Sequence, residues 1–387
     1  MIVLKPRADR RIRGGHLWVF ANEIADPRVS DLEPGSIHEL HDAAGEFLGV
    51  VYANPASLIA ARILSRRKRS IDTGFLLDRL QSALDFRKRL FPDRSCYRVV
   101  FGESDLLPGL IVDRYGDIVV VQTLTAGMEK LLDEILDAIA EVLAPAGVYL
   151  RNDSSFRLLE GLPLEKRLLA GMVPERVEIE SRGLRFAIDV VNGQKTGFFL
   201  DQESNRELMY RYVTAGTKVL DLFCYTGAWA LHALAAGAEH ATGVDSSRGA
   251  LELATHSAAL NNFTDRFLAV RDHAVDFIKK TRESWDLVVV DPPAFIKTRS
   301  QMREGKKGYI DVNRRALRAL KPGGILITCS CSHHVDLSFF EEILTSASRQ
   351  SGRRLRILDI RGQSPDHPVL LDMPETRYLK VFVTQAF

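Results

Sequence analysis

Carboxylates stand at the ends of short apolar runs in the second half of the chain. Asp221 ends a β-branched and leucine run that leads through a turn into an apolar helix at 228–236. Asp245 follows a second run, at 241–244, and lies twenty-four residues after Asp221. A carboxylate at the end of a second parallel strand can accept hydrogen bonds from both hydroxyls of a ribose. This spacing predicts a binding site for an adenosine-type ligand.

The turn after Asp221 narrows the choice of ligand. It reads Asp-Leu-Phe-Cys-Tyr-Thr-Gly over 221–227 and carries a single glycine, Gly227, instead of a Gly-x-Gly-x-x-Gly motif. Such a turn lets the backbone approach a ligand, and the following helix offers free N–H groups, but one glycine makes a poor cradle for a pyrophosphate. The turn therefore favours S-adenosylmethionine, which has no phosphates, over NAD.

Two cysteines end another apolar run. Cys329 and Cys331 follow the segment 322–328, and the chain has two more cysteines, Cys96 and Cys224. There is no CxxC pair and no His/Cys cluster with zinc spacing, so no metal site is predicted. This usage suits a reducing cytoplasm and a thiol used for chemistry better than a disulfide framework.

Five strands have to position these side chains. They are predicted at 219–222, 241–244, 268–272, 285–290 and 322–328, and helical segments separate them. Alternation of this kind is typical of a doubly wound parallel sheet, in which the carboxyl ends of the strands face the ligand crevice. We therefore expect Asp272 to lie near an adenine edge, and Asp291 to face the same crevice as the cysteines.

The first half of the chain predicts two smaller units. Residues 1–72 contain short strands at 36–40, 47–53 and 58–64, which predict a small β barrel. Residues 73–186 predict an α+β unit with a helix at 75–90, an amphipathic helix at 129–143, and strands at 98–101, 110–115, 118–122, 147–150 and 177–180. Basic residues cluster at both ends of the barrel, namely Lys5, Arg7, Arg10, Arg11 and Arg13, and Arg66, Arg67, Lys68 and Arg69. These clusters are either an RNA contact or a solvated charged face.

Length and composition set broad limits. The chain has 387 residues, 46% of them hydrophobic, and a formal net charge of +2. Its length suggests two or three domains, and the nearly neutral charge argues neither for nor against nucleic acid. The start of the chain lacks the apolar region of a signal peptide, and no apolar run approaches the roughly 18 residues that span a bilayer. A soluble, cytoplasmic protein without a membrane partner is expected.

Two further segments carry a family resemblance. Gly193-Gln194-Lys195-Thr196-Gly197-Phe198-Phe199-Leu200-Asp201-Gln202-Glu203-Ser204-Asn205-Arg206 precedes the first strand of the predicted sheet, and Asp291-Pro292-Pro293-Ala294-Phe295 follows the fourth. With them the chain resembles class I S-adenosylmethionine-dependent methyltransferases, and within these the large-subunit ribosomal RNA cytosine-5 methyltransferases that carry an N-terminal PUA domain. The resemblance covers essentially the whole chain.

The resemblance implies three domains and a set of site residues. The domains are an RNA-binding PUA domain at 1–72, a strand-strand-helix-strand-strand (EEHEE-type) middle domain at 73–186 and a Rossmann-like methyltransferase domain at 187–387. The implied substrate is 23S ribosomal RNA, and family members suggest a homodimer. The residues expected to contact S-adenosylmethionine are Gln194, Lys195, Phe198, Asp201, Arg206, Asp221, Phe223, Tyr225, Gly227, Asp245, Ser246, Asp272 and Asp291.

The resemblance also implies covalent catalysis. Carbon 5 of a pyrimidine is a weak nucleophile until a thiolate adds to carbon 6. Related enzymes place this cysteine seven residues after the second glycine of the turn, which from Gly324 gives Cys331. Strand alternation points Cys329 and Cys331 to the same side, so geometry alone does not choose between them. Asp291 is expected to hydrogen-bond the cytosine, or else to be a structural carboxylate.

Several alternatives stay open at this point. An RNA guanine N-methyltransferase would share the Asp-Pro-Pro motif, but Ala294 separates Pro293 from Phe295, so the usual amine-binding tetrapeptide is not reproduced. A noncatalytic assembly factor that binds S-adenosylmethionine is a third hypothesis. Lys195, His333 and His334 are candidates for activating the thiol, and the base that removes the carbon 5 proton is not identified. The basic segment 297–309 is expected to be a loop that either grips phosphates or is solvated and flexible.

Overall fold

The computed structural model describes all residues from 1 to 387, and the chain divides into two compact units. The first unit comprises Met1–Val177, Asp189–Leu200 and Asp366–Thr376. The second comprises Glu178–Ile188, Asp201–Pro365 and Arg377–Phe387. No helix is long and apolar enough to cross a membrane, and no group of three or more His, Cys, Asp or Glu side chains could hold a metal ion.

A six-stranded mixed sheet begins the first unit. Its strands are β1 (Ile2–Leu4), β2 (Trp18–Val19), β3 (Ile24–Asp26), β4 (Ile37–His41), β5 (Phe47–Ala53) and β6 (Ala61–Ser65), with the short helix α1 (Arg10–Arg13) after β1. The spatial order is β2-β6-β5-β4-β1-β3, and only the β1–β4 pair is parallel. Apolar side chains such as Ile2, Leu40 and Val51 form its core. The predicted strands are confirmed within a few residues.

A second, five-stranded sheet follows in the same unit. It contains β7 (Cys96–Phe101), β8 (Leu110–Tyr115), β9 (Ile118–Thr123), β10 (Gly147–Asn152) and β11 (Glu165–Gly171) in the order β11-β10-β9-β8-β7. Helices α2 (Thr73–Leu90) and α4 (Leu132–Leu143) pack on it through apolar faces, and α3 (Ala126–Lys130) precedes α4. The helix predicted at 129–143 is confirmed over 132–143, and its predicted start is wrong because a break at Leu131 separates α3 from α4. The sequence pattern also missed β11, because most of its residues are exposed and it lacks a buried face.

The second unit is built on a seven-stranded sheet. Its strands are β14 (Lys218–Leu222), β15 (His240–Asp245), β16 (Phe267–Arg271), β17 (Trp285–Val290), β18 (Leu320–Ser330), β19 (Leu355–Arg361) and β20 (Lys380–Ala386). The order β16-β15-β14-β17-β18-β20-β19 places β14 at the centre of five parallel strands. β20 is antiparallel to both β18 and β19 and lies between them. The predicted doubly wound sheet is confirmed, and its last two strands are an addition.

Helices cover both faces of this sheet. They are α5 (Glu203–Arg206), α6 (Leu208–Tyr212), α7 (Ala228–Ala235), α8 (Arg248–Leu260), α9 (Ala274–Lys280), α10 (Met302–Ala319) and α11 (Leu337–Ser351). A two-stranded sheet of β12 (Val177–Ser181) and β13 (Leu184–Ile188) precedes them, and β13 is held to α8 by a hydrogen bond from the Ala187 amide to the Ser257 hydroxyl at 3.0 Å. Side chains from β14, β17, β18 and α10, including Leu220, Val288 and Leu317, form a continuous core. This core fixes the strand ends that carry the candidate site.

One predicted loop is largely a helix. The sequence predicts a loop at 297–309, but α10 begins at Met302 and Tyr309 is completely buried. The predicted loop is therefore wrong for 302–309, and the contact of this segment with phosphates stays a prediction.

Candidate active site

Three neighbouring strand ends bring the candidate residues together. Leu222 at the end of β14 pairs with Val290 at the end of β17, and Val290 pairs with Thr328 near the end of β18. Asp291 and Cys331 therefore leave the sheet at the same edge, beside the turn that follows β14. The predicted crevice at the carboxyl ends of the parallel strands has this arrangement.

The turn between β14 and α7 has an unusual backbone. Phe223 and Tyr225 have positive φ angles of 63° and 49°, and Gly227 follows with a φ of 73°. For L-residues with side chains this region is higher in free energy, and such residues tend to cluster at functional sites. A Cβ atom at Gly227 would lie 3.2 Å from the Ala254 side chain and 3.3 Å from the Phe267 ring. Glycine is therefore required at this position for both its conformation and its size.

Asp245 supports the turn from the end of β15. Its carboxylate accepts hydrogen bonds from the amides of Tyr225 at 3.0 Å and Ser247 at 2.8 Å. Ser246 is exposed beside it, and Asp272 follows β16 with its amide bonded to the Asp245 carbonyl at 3.2 Å. The structure thus groups Asp245, Ser246 and Asp272 on one side of the turn.

Asp221 is a buried carboxylate with spare hydrogen-bonding capacity. It is inaccessible to solvent, and one of its oxygens accepts a hydrogen bond from the Ala230 amide at 3.1 Å. Its other oxygen and the buried hydroxyl of Thr226 have no partner in the protein. Burial raises the pKa of Asp221 well above its ordinary value, and the charges of Asp291 and Asp245 add to the effect. Buried polar atoms normally have a partner, so these atoms fit a site that receives a polar ligand such as S-adenosylmethionine.

Side-chain donors hold Asp291 in place. The Gln202 side-chain amide donates to its carboxylate at 3.0 Å, and the Trp229 indole N–H donates to the same oxygen at 3.1 Å. The carboxylate is half-buried and follows directly on β17. Phe295, four residues on, packs against Tyr309 with ring centroids 4.7 Å apart. The arrangement fixes Asp291 while Phe295 contributes to packing.

The two cysteines after β18 have different surroundings. Cys329 is completely buried, whereas the Cys331 side chain is partly exposed. Burial, together with the charge of Asp291, raises the pKa of the Cys329 thiol well above its ordinary value. A buried neutral thiol is a poor nucleophile. Strand alternation places Cys329 and Cys331 on the same side, but their solvent exposure differs, and this difference distinguishes them.

Hydrogen bonds hold the residues on both sides of Cys331. The Tyr309 hydroxyl lies 3.1 Å from the Ser330 hydroxyl, which donates to it, and 2.9 Å from the Ser332 hydroxyl. The Lys380 ammonium donates to the Ser332 carbonyl at 2.7 Å. Tyr309, Ser330, Ser332 and Lys380 are all buried. The backbone around Cys331 is thus fixed from two elements, α10 and β20.

The candidates for thiol activation belong to two segments of the chain. His333 and His334 are exposed, and the imidazole of His333 lies 5.9 Å from the Tyr378 ring between centroids. Partial burial of the imidazole, and then the nearby charges of Lys380 and His334, lower the pKa of His333. Lys195 belongs to the first unit, where its ammonium lies 4.4 Å from the Phe199 ring centroid.

The segment 193–206 spans the division between the two units. Gln194, Lys195 and Phe198 belong to the first unit, and Asp201 and Arg206 to the second. In the first unit, the Arg151 guanidinium holds this segment by donating to the carbonyls of Val190 at 2.8 Å and Gly193 at 2.7 Å.

In the second unit, the carboxylate of Asp201 accepts from the Tyr378 hydroxyl at 2.7 Å, and Arg206 lies 3.3 Å from Glu203. Both Asp201 and Arg206 are buried. These contacts hold the part of the segment that precedes the seven-stranded sheet.

Four residues of the site are not singled out by the sequence. Gln202 and Trp229 lie within or next to predicted motifs, so a search for donors to Asp291 could have found them. Tyr309 falls in the segment predicted as a loop, and Lys380 lies on an unpredicted strand. No local signal marks Lys380, because its contact with Ser332 depends on the register of β20 against β18.

Comparisons with known proteins place the chain among methyltransferases. Residues 2–66 match a family model described as a PUA-like domain, and residues 136–370 match one described as an S-adenosylmethionine-dependent methyltransferase. Proteins named ribosomal RNA large subunit methyltransferase I are similar over the whole chain. The one from Alteromonas mediterranea is 35% identical, covering 100% of this chain and 98% of its own, and that from Shewanella denitrificans is 36% identical, covering 100% and 99%.

Solved structures agree at the level of the fold. A SAM-dependent methyltransferase candidate from Streptococcus mutans aligns with a TM-score of 0.83 and 23% identity over 99% of both chains. A methyltransferase solved with SAH aligns with a TM-score of 0.86 and 24% identity over 100% of both chains.

Proposed function

Since the chain belongs to the S-adenosylmethionine-dependent methyltransferases, and within them to the family of ribosomal RNA large subunit methyltransferase I, we propose that it methylates carbon 5 of a cytidine in 23S ribosomal RNA with Cys331 as nucleophile. One observation carries the assignment of Cys331. Cys331 is partly exposed and lies at the same edge of the sheet as Asp291. By contrast, Cys329, Cys224 and Cys96 are buried.

The proposed role of Cys331 follows from the chemistry of the base. The thiolate adds to carbon 6, and the electron pair of the 5,6 double bond makes carbon 5 nucleophilic. The bound cofactor supplies an electrophilic methyl group. Loss of the carbon 5 proton to a base then restores the double bond and expels the thiolate, so Cys331 is regenerated.

Asp291 is proposed to orient the base. Its carboxylate is fixed by Gln202 and Trp229, and it can accept a hydrogen bond from the exocyclic amine of a cytosine. A preorganised acceptor of this kind contributes because its position is set before the substrate binds.

The cofactor is proposed to lie along the turn after β14. Phe223, Tyr225 and Gly227 bring the backbone close to it, and the buried polar atoms of Asp221 and Thr226 are available for hydrogen bonds. Asp245 and Ser246 are proposed to bind the ribose, with Asp272 near the adenine. Gln194, Lys195, Phe198, Asp201 and Arg206 are proposed to contact the methionine part.

The remaining proposals concern organisation. The division into domains at 1–72, 73–186 and 187–387 is proposed from the family resemblance. A cytoplasmic location is proposed because all four cysteines are free and two of them lie in the candidate site.

A homodimer is also proposed. The open edge strand β11 supports it, since Leu164, Leu168 and Met172 in and beside that strand are 47%, 49% and 77% exposed.

Replacement of Cys331 tests the central proposal. With unmodified 23S RNA and labelled S-adenosylmethionine, the wild type is expected to form 5-methylcytidine and Cys331→Ala to form none. Because fluorine at carbon 5 cannot leave as a proton does, RNA containing 5-fluorocytidine should trap the wild type as a covalent complex visible on a denaturing gel. Cys331→Ala should form no such complex.

Two further variants make the result specific. Cys96→Ala removes a buried cysteine of the first unit and is expected to retain methyl transfer. Cys329→Ala asks whether the neighbouring thiol is the nucleophile instead. If Cys331→Ala stays active and the product is a methylated guanine, the chain is an N-methyltransferase and Cys331 serves only packing. If no RNA is methylated although the cofactor binds, the noncatalytic hypothesis takes its place.

A further inference from the structure

Lys380 is a buried lysine beside the candidate nucleophile. It begins β20 and pairs in the sheet with Ser330, the residue before Cys331. The residue is only 4% exposed. Its ammonium donates to the carbonyls of Ser332 at 2.7 Å and Tyr378 at 2.8 Å. It therefore reaches the end of β18 and contacts the backbone immediately after Cys331.

A lysine in this position is costly to keep charged. A buried ammonium loses its hydration, and hydrogen bonds to two backbone carbonyls compensate for only part of the lost free energy. No carboxylate lies within ion-pair distance of Lys380. Burial accordingly lowers the pKa of Lys380 to about 8, while the charges of Cys331 and Asp336 act in the opposite direction. The positive charge of Lys380 would most stabilise a neighbouring group that is neutral at rest and becomes negatively charged when it loses a proton.

We propose that Lys380 is a positioning residue that stabilises the thiolate of Cys331 and so activates it. The inference rests on the proposed role of Cys331 as nucleophile. Lys380 acts in two ways: its positive charge favours loss of the thiol proton, and its hydrogen bond to the Ser332 carbonyl fixes the direction in which the cysteine points.

The other groups around Lys380 are consistent with this role. Asp336 is exposed, and its carboxylate already accepts the Phe339 amide at 2.8 Å at the start of α11. His333 and His334 lie nearby, but burial and the Lys380 charge lower the pKa of His333 and so favour its neutral form. Tyr378 accepts a hydrogen bond from Lys380 through its carbonyl. Cys331 is therefore the group near Lys380 that can take up a negative charge on losing a proton and that is accessible to a substrate.

The charge of Lys380 determines the direction in which the pKa of the Cys331 thiol should shift. Below a pH of about 8, Lys380 carries its proton and opposes protonation of the thiolate. A free cysteine has a pKa of about 8.5, and a nearby opposite charge lowers such a value by about one unit or more. The Cys331 thiolate should therefore persist to a lower pH than an isolated cysteine allows, and removal of the charge should abolish the difference.

The rate of alkylation of Cys331 by iodoacetamide tests this inference. It is measured from pH 6 to 10 by peptide mass spectrometry, on the full chain without RNA or cofactor. The wild-type profile should have its midpoint below about 8.5. In Lys380→Met the midpoint should rise by about one pH unit, and Lys380→Arg, which keeps the charge, should restore most of the shift.

A matched control is available in the same sheet. Lys321 lies near the start of β18, far along the strand from Cys331, and pairs with Asp286 at 2.8 Å. Lys321→Met makes the same chemical change and should leave the Cys331 profile where it is in the wild type. A purely structural role for Lys380 would alter how much of the protein folds without displacing the midpoint.

The results of the alkylation experiment can be distinguished from those of the methylation assay. Overlapping profiles for the wild type and a folded Lys380→Met would overturn the inference. If that variant does not fold, the wild-type midpoint decides alone, and a value at or above about 8.5 refutes the proposal. Because no RNA is present, a failure to form 5-methylcytidine would contradict the proposed function and leave the alkylation result standing.

Discussion

Cys329 and Cys331 illustrate how far a single residue depends on its surroundings. The two thiols are two positions apart at the end of one strand, yet one is completely buried and the other is partly exposed. Burial raises the pKa of the first thiol, so it stays neutral beside Asp291. Chemistry at this edge is therefore governed by access as much as by residue type.

The carboxylate of Asp291 gives a prediction of the same kind. Asp291→Asn keeps the shape of the side chain and can keep an oxygen toward Gln202 and Trp229, which donate to the same oxygen of Asp291. It removes the negative charge, however, and turns the other oxygen into a donor that cannot accept a hydrogen bond from the cytosine amine. We expect kcat for methyl transfer to fall by roughly 10²-fold or more, the size typical of a lost acid-base or hydrogen-bonding group in an active site. The loss should appear in single-turnover rates measured at saturating cofactor and RNA.

Asp286→Asn is the matched control for this change. Asp286 lies in the same strand, β17, at its opposite end, where it contacts Lys321 and the Lys218 amide. This variant should keep the wild-type rate. An Asp291→Asn enzyme with an unchanged single-turnover rate would mean that Asp291 is a structural carboxylate.

The site could be predicted from sequence where local motifs carry it. The end of an apolar run places Asp221, Asp245 and Asp291 at the strand ends, and the structure has each of them there. Lys380 could not be found in this way, since its partner Ser332 is distant in the chain and only strand register brings them together. Long-range register is the information that a single sequence does not display.

The turn at 223–227 shows how one element combines conformation and packing. Three of its five residues have positive φ, and the amides of Cys224 and Gly227 are bonded to the carbonyls of Val244 and Cys224 at 3.1 and 2.8 Å. The turn is therefore built in one shape before any ligand arrives. A ligand that binds along it loses little free energy in ordering the backbone.

Gly227→Ala is expected to weaken both the fold and cofactor binding. Alanine in the left-handed region costs about 1 kcal/mol or more, and its methyl group would press on the side chains of Ala254 and Phe267. We expect a lower midpoint of thermal unfolding and a higher Kd for S-adenosylmethionine, measured by scanning calorimetry and titration calorimetry.

Gly216→Ala separates the two contributions. Gly216 has a similar φ of 83°, and a Cβ atom there would meet no atom within 4 Å. It should lose only the conformational part of the stability and bind the cofactor as the wild type does. Equal losses in the two variants would show that the close packing at Gly227 has no consequence.

The loop predicted at 297–309 is wrong where α10 begins because the glycines there serve close packing. Glycines and basic residues in 297–309 are typical of a loop, but Gly305 is glycine because a Cβ there would overlap an Ile296 side-chain atom. Gly308 likewise lies against Phe295. In this helix glycine provides room for a close neighbour, and a sequence alone does not distinguish that use from flexibility.

Part of the positive charge that flanks the first sheet is compensated by neighbouring carboxylates. Of the basic residues that flank the first sheet, Arg11 pairs with Glu23, Arg13 with three carboxylates, Lys68 with Glu39 and Arg69 with Asp78. Arg7, Arg10 and Arg67 are exposed and make no ion pair. Lys5 and Arg66 donate to backbone carbonyls. Four of the nine cations in the two clusters are therefore paired with carboxylates, and five are not.

Removal of these three arginines should change the salt dependence of RNA binding. Each phosphate contact contributes about 0.7 to the slope of log Kd against log salt concentration for single-stranded RNA. The triple variant Arg7→Ala, Arg10→Ala and Arg67→Ala should therefore lose roughly 2 from that slope, measured by fluorescence anisotropy at several salt concentrations.

Arg28→Ala provides the comparison for this measurement. Arg28 is an exposed arginine of the same sheet region but lies outside both clusters. Its replacement should leave the slope unchanged. If the triple variant also keeps the wild-type slope, the clusters form a solvated face and RNA binds elsewhere.

The order of strands in the seven-stranded sheet has a consequence for how the molecule is made. β20 is the last strand in the chain, yet it is inserted between β18 and β19, which the ribosome synthesises earlier. Until it is inserted, β19 has no neighbour in the sheet, the edge of β18 is open, and the end of β18 lacks its lysine. Pairing of β20 with both neighbours closes the sheet and brings Lys380 to the end of β18, so the surroundings of Cys331 are complete only after residues 380–386 have been inserted.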